Sequence, residues 1–157
     1  MHNACKHYGL QVLQKLMQEF YIKQVDWATH EAQLRQIREQ VFVLEQHVPI
    51  ALEWDGLDVD ATHLLALDRL SKPIGCARLL SSGTIGRMAV LLEKRGLGVG
   101  TALLESAIQF YKQRHLSHVT LSAQTHAITF YEKVGFVVCS DLYLDADIEH
   151  VDMQLKI

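Results

Sequence analysis

Arg95-Gly96-Leu97-Gly98-Val99-Gly100 is the stretch whose residue types and spacing could do chemistry most directly. It closes an apolar run at residues 85–92 and opens a segment in which Val99, Ala102, Leu103, Ala107 and Phe110 recur at helical spacing. A strand, a glycine turn and a helix in that order make an anion site. The first N–H groups of the helix lack partners, and its dipole favours negative charge there. Glycine lets the backbone approach a phosphate closely. The expected ligand therefore carries phosphates. A P-loop would continue Gly-Lys-Ser/Thr, whereas Gly100 is followed by Thr101-Ala102. A dinucleotide fingerprint would space its glycines differently and place an acid about 20 residues on, and residues 116–121 offer none.

A second group with chemical potential is Glu53, Asp55, Asp58 and Asp60. Four carboxylates before a strand could attract a cationic amine and accept its proton, directly or through water; the plainer alternative is a solvated loop. The Asp-x-Asp-x-Asp-Gly order of a calcium loop is missing. Glu45 and His63 are alternates for the base. Among nine histidines, His115 and His118 could share a helix end, but no third ligand completes a set, so no metal is expected. Cys5, Cys76 and Cys139 are odd in number and widely spaced, which fits neither a disulfide framework nor zinc and suits a reducing cytosol.

The elements that must position these residues follow from periodicity. Leu10, Leu13, Leu16, Met17 and Phe20 give a helical stripe over residues 9–19, whose apolar face could serve as a dimer contact or a lid. Residues 21–27 read as a strand. Thr29 is the expected N-cap of a helix carrying Leu34, Ile37, Val41 and Leu44, and Pro49 ends it. Residues 50–61 read as an acidic loop. Strands are expected at 63–68 and 74–80, joined through Ser71-Lys72-Pro73, and again at 85–92. After the glycine loop come a helix to about Arg114, a strand at 119–123, a helix at 126–134 stopped by Gly135, and strands at 136–138 and 151–157. The order implies an α/β or α+β sheet with parallel strands in its middle, where helices cross over. A chain of 157 residues suits one domain. Its net charge of −3 gives no reason to expect nucleic acid or a membrane surface as partner. No apolar run approaches the ~18 residues of a membrane span. The start, Met1 to Lys6, lacks the apolar stretch of a signal peptide, so the expectation is a cytoplasmic protein.

The spacing Arg95-x-x-Gly98-x-Gly100 resembles the Arg/Gln-x-x-Gly-x-Gly/Ala signature of the GNAT superfamily of acyl-CoA-dependent N-acetyltransferases. Residues 124–136, with Ala127, Phe130-Tyr131 and Gly135-Phe136, resemble its later Asn-x-x-Ala-x-x-Phe-Tyr-x-x-x-Gly-Phe block, with Gln124 in place of Asn. Arg38, Val41-Phe42, Glu45-Gln46, Val48-Pro49, Glu53-x-Asp55, Ile148-x-His150 and Met153 resemble a narrower group of small, little-characterised bacterial members. The resemblance covers residues 20–157. It implies one GNAT-like domain over residues 1–157, in which two central parallel strands splay into a V that holds acetyl-CoA as co-substrate. It implies that Arg95, Gly96, Leu97, Gly98, Val99 and Gly100 bind the pyrophosphate, mainly through backbone N–H groups. Met88, Ala89 and Val90 would line the pantetheine arm, whose amides can pair with an open strand edge, and an N–H near Val90 would polarise the thioester oxygen. Gln124 would offer its amide to the cofactor. Tyr131 would be the general acid facing the sulfur, since a phenol keeps its proton at neutral pH. Glu53 and Asp55 are the matching candidates for handling the amine. The implied function is acetyl transfer from acetyl-CoA to a primary amine of a small molecule; a homodimer is the expectation attached to the apolar stripe at residues 9–19. The alternative is a non-catalytic acyl-CoA-binding or sensing module on the same fold.

Overall fold

The computed structural model describes residues 19–157. The expected helix at residues 9–19 and Cys5 therefore lie outside the described residues, Glu19 apart. The elements in chain order are β1 (Phe20–Val25), α1 (Trp27–Arg38), α2 (Ile50–Glu53), β2 (Thr62–Asp68), β3 (Pro73–Leu79), β4 (Thr84–Val90), α3 (Val99–Gln113), β5 (His118–Gln124), α4 (Ile128–Glu132), β6 (Val137–Val138), β7 (Tyr143–Asp145) and β8 (Ile148–Lys156). They build the expected mixed α/β architecture around an eight-stranded sheet of order β1-β2-β3-β4-β5-β8-β6, with β7 on β8.

The sheet is buried on both faces at β2 and β3, and the sequence says why. In β2, Thr62–Asp68, successive apolar side chains alternate to opposite faces. Leu64 and Ala66 join a core with Leu103, Leu104 and Ala107 of α3. Leu65 and Leu67 join a second core with Leu34 and Ile37 of α1. Gly75 lets α3 sit close, because a Cβ there would meet Ala89 O at 3.0 Å and side chains of Val99 and Leu103 at 3.2 Å.

Every neighbouring pair is antiparallel except β4 and β5. Those two run parallel and share only the pairs Thr84↔Thr120 and Ile85↔Leu121 before they part. The remaining lengths of the two strands open into a V. A register shift opposite β3 marks a bulge in β4 at Arg87, whose φ is +49°. Such a bulge re-aims side chains and ends pairing.

Several local expectations are corrected. Asp26, not Thr29, caps α1: its carboxylate accepts from Thr29 N and from Thr29 Oγ1, both at 2.8 Å. Beyond Arg38 the helix widens into π winding over Glu39–Glu45. The apolar stripe then drifts, so Val41 is buried while Leu44 is 63% exposed. The acidic loop begins as the short helix α2, introduced by Pro49. The last strand starts at Ile148, and β7, absent from the sequence reading, pairs with it as a hairpin.

Candidate active site

The V between β4 and β5 is part of a cleft of about 1140 Å³. One end is bounded by the glycine loop, and Tyr131 lies on the wall from α4. Glu53, Arg78 and Arg87 line the cleft toward the paired end of β4, where Arg78 stands opposite Gly86, and Ser122 and His150 line it from β5 and β8.

At the glycine end the chain leaves β4, makes a 3₁₀ turn at Leu92–Lys94 and enters α3 through Gly96 and Gly98 at φ +75° and +85°. Gly98 caps α3 without any side-chain hydrogen bond, and a Cβ there would meet nothing within 4 Å. The first-turn N–H groups thus face open space, as an anion site requires. Gly100 is closer to its neighbours, 3.4 Å from the Phe130 ring of α4 by the same measure. Arg95 is engaged elsewhere. Its Nη1 and Nη2 donate to the two Glu45 carboxylate oxygens at 2.7 and 2.8 Å, and its Nε donates to Val90 O at 3.0 Å. Glu45, read as an alternate base, is therefore the partner that ties the π-wound helix to the glycine loop.

Val90 itself faces the V. Leu91 N donates to Ile74 O at 3.0 Å, on the β3 side. Backbone groups alternate along a strand, so the Val90 N–H points away from β3 and into the splay. Met88, Ala89 and Val90 all line the cleft. Gln124 lines it too, but its amide is paired with Gln46: Gln124 Nε2 donates to Gln46 Oε1 at 2.8 Å.

Tyr131 is 9% exposed, edge-on to Phe130 and Phe136. Burial pushes its phenol up to about 12, so it holds its proton throughout the neutral range. Its hydroxyl makes no hydrogen bond among the described residues.

The acidic stretch is divided: Glu53 and Asp58 are buried, while Asp55 and Asp60 reach the surface. Glu53 and Asp58 are buried with Arg38, which donates from Nε to Glu53 Oε1 and from Nη1 to Asp58 Oδ1, both at 2.6 Å. Arg38 in turn lies 4.6 Å from the Trp54 ring centre. Asp55 takes both Nη atoms of Arg78 at 2.7 Å and one of Arg87 at 3.2 Å. Three arginines thus match three carboxylates. Desolvation raises Glu53, while the Arg78 and Leu57 N–H donors hold Asp55 well below the usual carboxylate range against its own desolvation. Asp60 stays on the surface. His63, the other alternate base, is buried against Trp27 and donates from Nε2 to Asp58 O at 2.9 Å, and desolvation pushes its imidazole pKa down. The arginine partners escaped the sequence reading. The available signal was Arg78 and Arg87 standing inside otherwise apolar strands, where a buried charge demands a partner.

Comparison with known proteins places the sequence and the fold in a family. A model of the acetyltransferase (GNAT) domain matches residues 13–157. The chain is 36% identical over 133 residues to the Bacillus subtilis protein named "Uncharacterized N-acetyltransferase YjcF", covering 80% of this chain and 94% of that one. Its fold superposes on an acyl-CoA N-acyltransferase from Pseudomonas aeruginosa with a TM-score of 0.76 at 34% identity, over 86% of this chain and 98% of the other. Escherichia coli ElaA gives a TM-score of 0.77 at 27% identity, over the same 86% and 98%. No helix among the described residues is long and apolar enough to cross a membrane.

Proposed function

The chain belongs to the GNAT acetyltransferase family, and on that premise we propose that it transfers an acetyl group from acetyl-CoA to the primary amine of a small molecule. The observation that carries this reading is the splay of β4 from β5, with a capless glycine-led helix at one end and a proton-holding tyrosine on the wall.

The pyrophosphate sits against the N–H groups opened by Gly96, Gly98 and Gly100, with Leu97 and Val99 contributing main chain only. Arg95 supports this loop through Glu45 rather than by reaching for phosphate. The pantetheine arm lies along Met88, Ala89 and Val90, and the outward Val90 N–H stabilises the carbonyl oxygen as charge develops there. Gln124 braces the wall through Gln46 and borders the arm. The amine nitrogen attacks the thioester carbon, the carbon–sulfur bond breaks, and Tyr131 gives its proton to the departing sulfur. Glu53 and Asp55 shape the acceptor end by holding Arg78 and Arg87. With charges balanced there, that end suits a neutral amine and does not concentrate cations.

The test is thiol release from acetyl-CoA by the purified protein with a panel of small primary amines, against a control without amine. Release that depends on the amine supports transfer. Tight acetyl-CoA binding with no amine-dependent release would leave a binding or sensing module instead.

A further inference from the structure

Resting on that transferase reading, we propose that His150 takes the proton the acceptor amine loses. β8 runs antiparallel to β5 with Gln124 opposite His150, which brings the imidazole to the end of the V. His150 is 9% exposed and lines the cleft. Its Nδ1 lies 2.7 Å from Ile148 O. A carbonyl oxygen only accepts, so Nδ1 carries the hydrogen and Nε2 is left with a lone pair. That Nε2 makes no hydrogen bond among the described residues. Histidine is the side chain suited to exchange a proton near neutral pH.

The ring is also held in place. Tyr143 stands opposite His150 across the β7–β8 pair, and the two rings stack with centres 6.0 Å apart and planes 21° from parallel. The Tyr143 hydroxyl donates to Asp152 Oδ1 at 2.7 Å and accepts from Ser122 Oγ. Asp152 and Ser122 are themselves register partners on β8 and β5. The hairpin that makes this possible turns through Ala146 and Asp147, both at positive φ. Tyr143 is thus a positioning residue: it fixes the plane of the imidazole, while Ile148 O fixes its tautomer. The titratable and charged groups around the ring are Tyr143 and Asp145 on β7, Asp152 behind Tyr143, His126 on the 3₁₀ turn Thr125–Ala127 that packs on β8, and Glu53, Arg78, Arg87 and Tyr131 along the cleft; β5 contributes the neutral Ser122 and Gln124. Glu53, Arg87 and Asp152 are already paired.

The step balances. The nitrogen–carbon bond forms as the carbon–sulfur bond breaks, the amine proton passes to Nε2, and the sulfur takes the Tyr131 proton. Solvent then returns both residues to their starting states, so the net change is amide plus free thiol.

His150→Asn tests this, because the shorter amide can still donate to Ile148 O but has nothing at Nε2. Its kcat/KM for an active amine should fall by ~10²–10⁴-fold, the usual range for a lost general base. The acidic limb of the pH profile should change with it; the amine's own titration is common to both proteins. Acetyl-CoA affinity should hold. Tyr143→Phe keeps the stacked ring and cuts its tether, so kcat should fall by a smaller factor with the limb retained. His150→Gln serves as a second deletion of the base should the asparagine variant fold poorly. Wild-type kcat/KM and an unchanged limb in a folded variant would overturn the assignment. So would nitrogen NMR of the wild-type protein showing the hydrogen on Nε2, a readout that needs no turnover. A wild-type protein with no amine-dependent thiol release would instead overturn the transferase reading.

Discussion

The two ends of the cleft are built from opposite materials. The glycine end works through main chain: its donors are helix-start N–H groups, and the space in front of them is kept free of side chains. The other end, proposed for the acceptor, works through side chains, three arginines and three carboxylates gathered from four elements and the loop after α2. A main-chain site depends on the path of the backbone and tolerates most side-chain changes. A buried ionic lattice depends on every member, since removing one leaves its partner charged and unpaired. On the proposed function, cofactor binding and acceptor placement would therefore change independently.

The largest effect on turnover belongs to the group between the two ends. Tyr131→Phe keeps the ring packed among Phe130 and Phe136, so stability should change little. Removing the proton donor should lower kcat by ~10²–10⁴-fold if leaving-group protonation limits the rate. Acetyl-CoA affinity measured by calorimetry should move by less than ~2 kcal/mol, the scale of one hydrogen bond. Wild-type kcat with an unaltered alkaline limb would remove Tyr131 from the mechanism and leave the wall a passive divider.

Arg38→Ala sharpens the contrast from the acceptor end. It takes from buried Glu53 and Asp58 their shortest ion pairs, leaving only Arg87 at 3.2 Å and Arg78 at 3.1 Å, and should cost ~3–5 kcal/mol of stability, as breaking a buried pair does. Denaturant melts read this directly. A loss below ~1 kcal/mol, the surface-pair scale, would mean that the lattice behaves like exposed charge.

Gly98→Val should cost less stability than Arg38→Ala and give the clearest split between folding and binding. Leaving αL-compatible glycine costs ~1–2 kcal/mol, and the added side chain enters space that is empty in the structure. Acetyl-CoA should lose more than ~10-fold in affinity, or ~1.4 kcal/mol. Full affinity would move the phosphates away from this helix start.

Elements defined by local repetition were legible in the sequence. β4 and α3 follow from an apolar run, three glycines and a helical stripe, and the first β-hairpin follows from Ser71-Lys72-Pro73 between two strands. Errors arose where local rules compete. Asp26 and Thr29 can both cap a helix, and the burial of Trp27 settles the start in favour of Asp26. Leu44 continues the stripe in sequence but not in space, because π winding changes the residues per turn. The β7–β8 turn uses Ala146 and Asp147 at positive φ where glycine or asparagine would have announced it. The site divides the same way. The glycine loop and Tyr131 sit in contiguous motifs, whereas the partners of Glu53 and Asp55 lie 15 to 34 residues away on other elements. Ion pairing at that separation leaves no local pattern to read.

The splay has a consequence for how the molecule meets other chains. A strand edge without a partner normally invites another strand and is a route to aggregation. Here that edge lies in the middle of a sheet, along residues 86–90 of β4, and spans about 16 Å at ~3.3 Å per residue. The Glu45–Arg95 and Gln46–Gln124 ties, from the π-wound helix to either arm of the V, flank it. The edge thus offers main-chain pairing inside a cleft, between two side-chain ties, rather than along an outer border of the sheet.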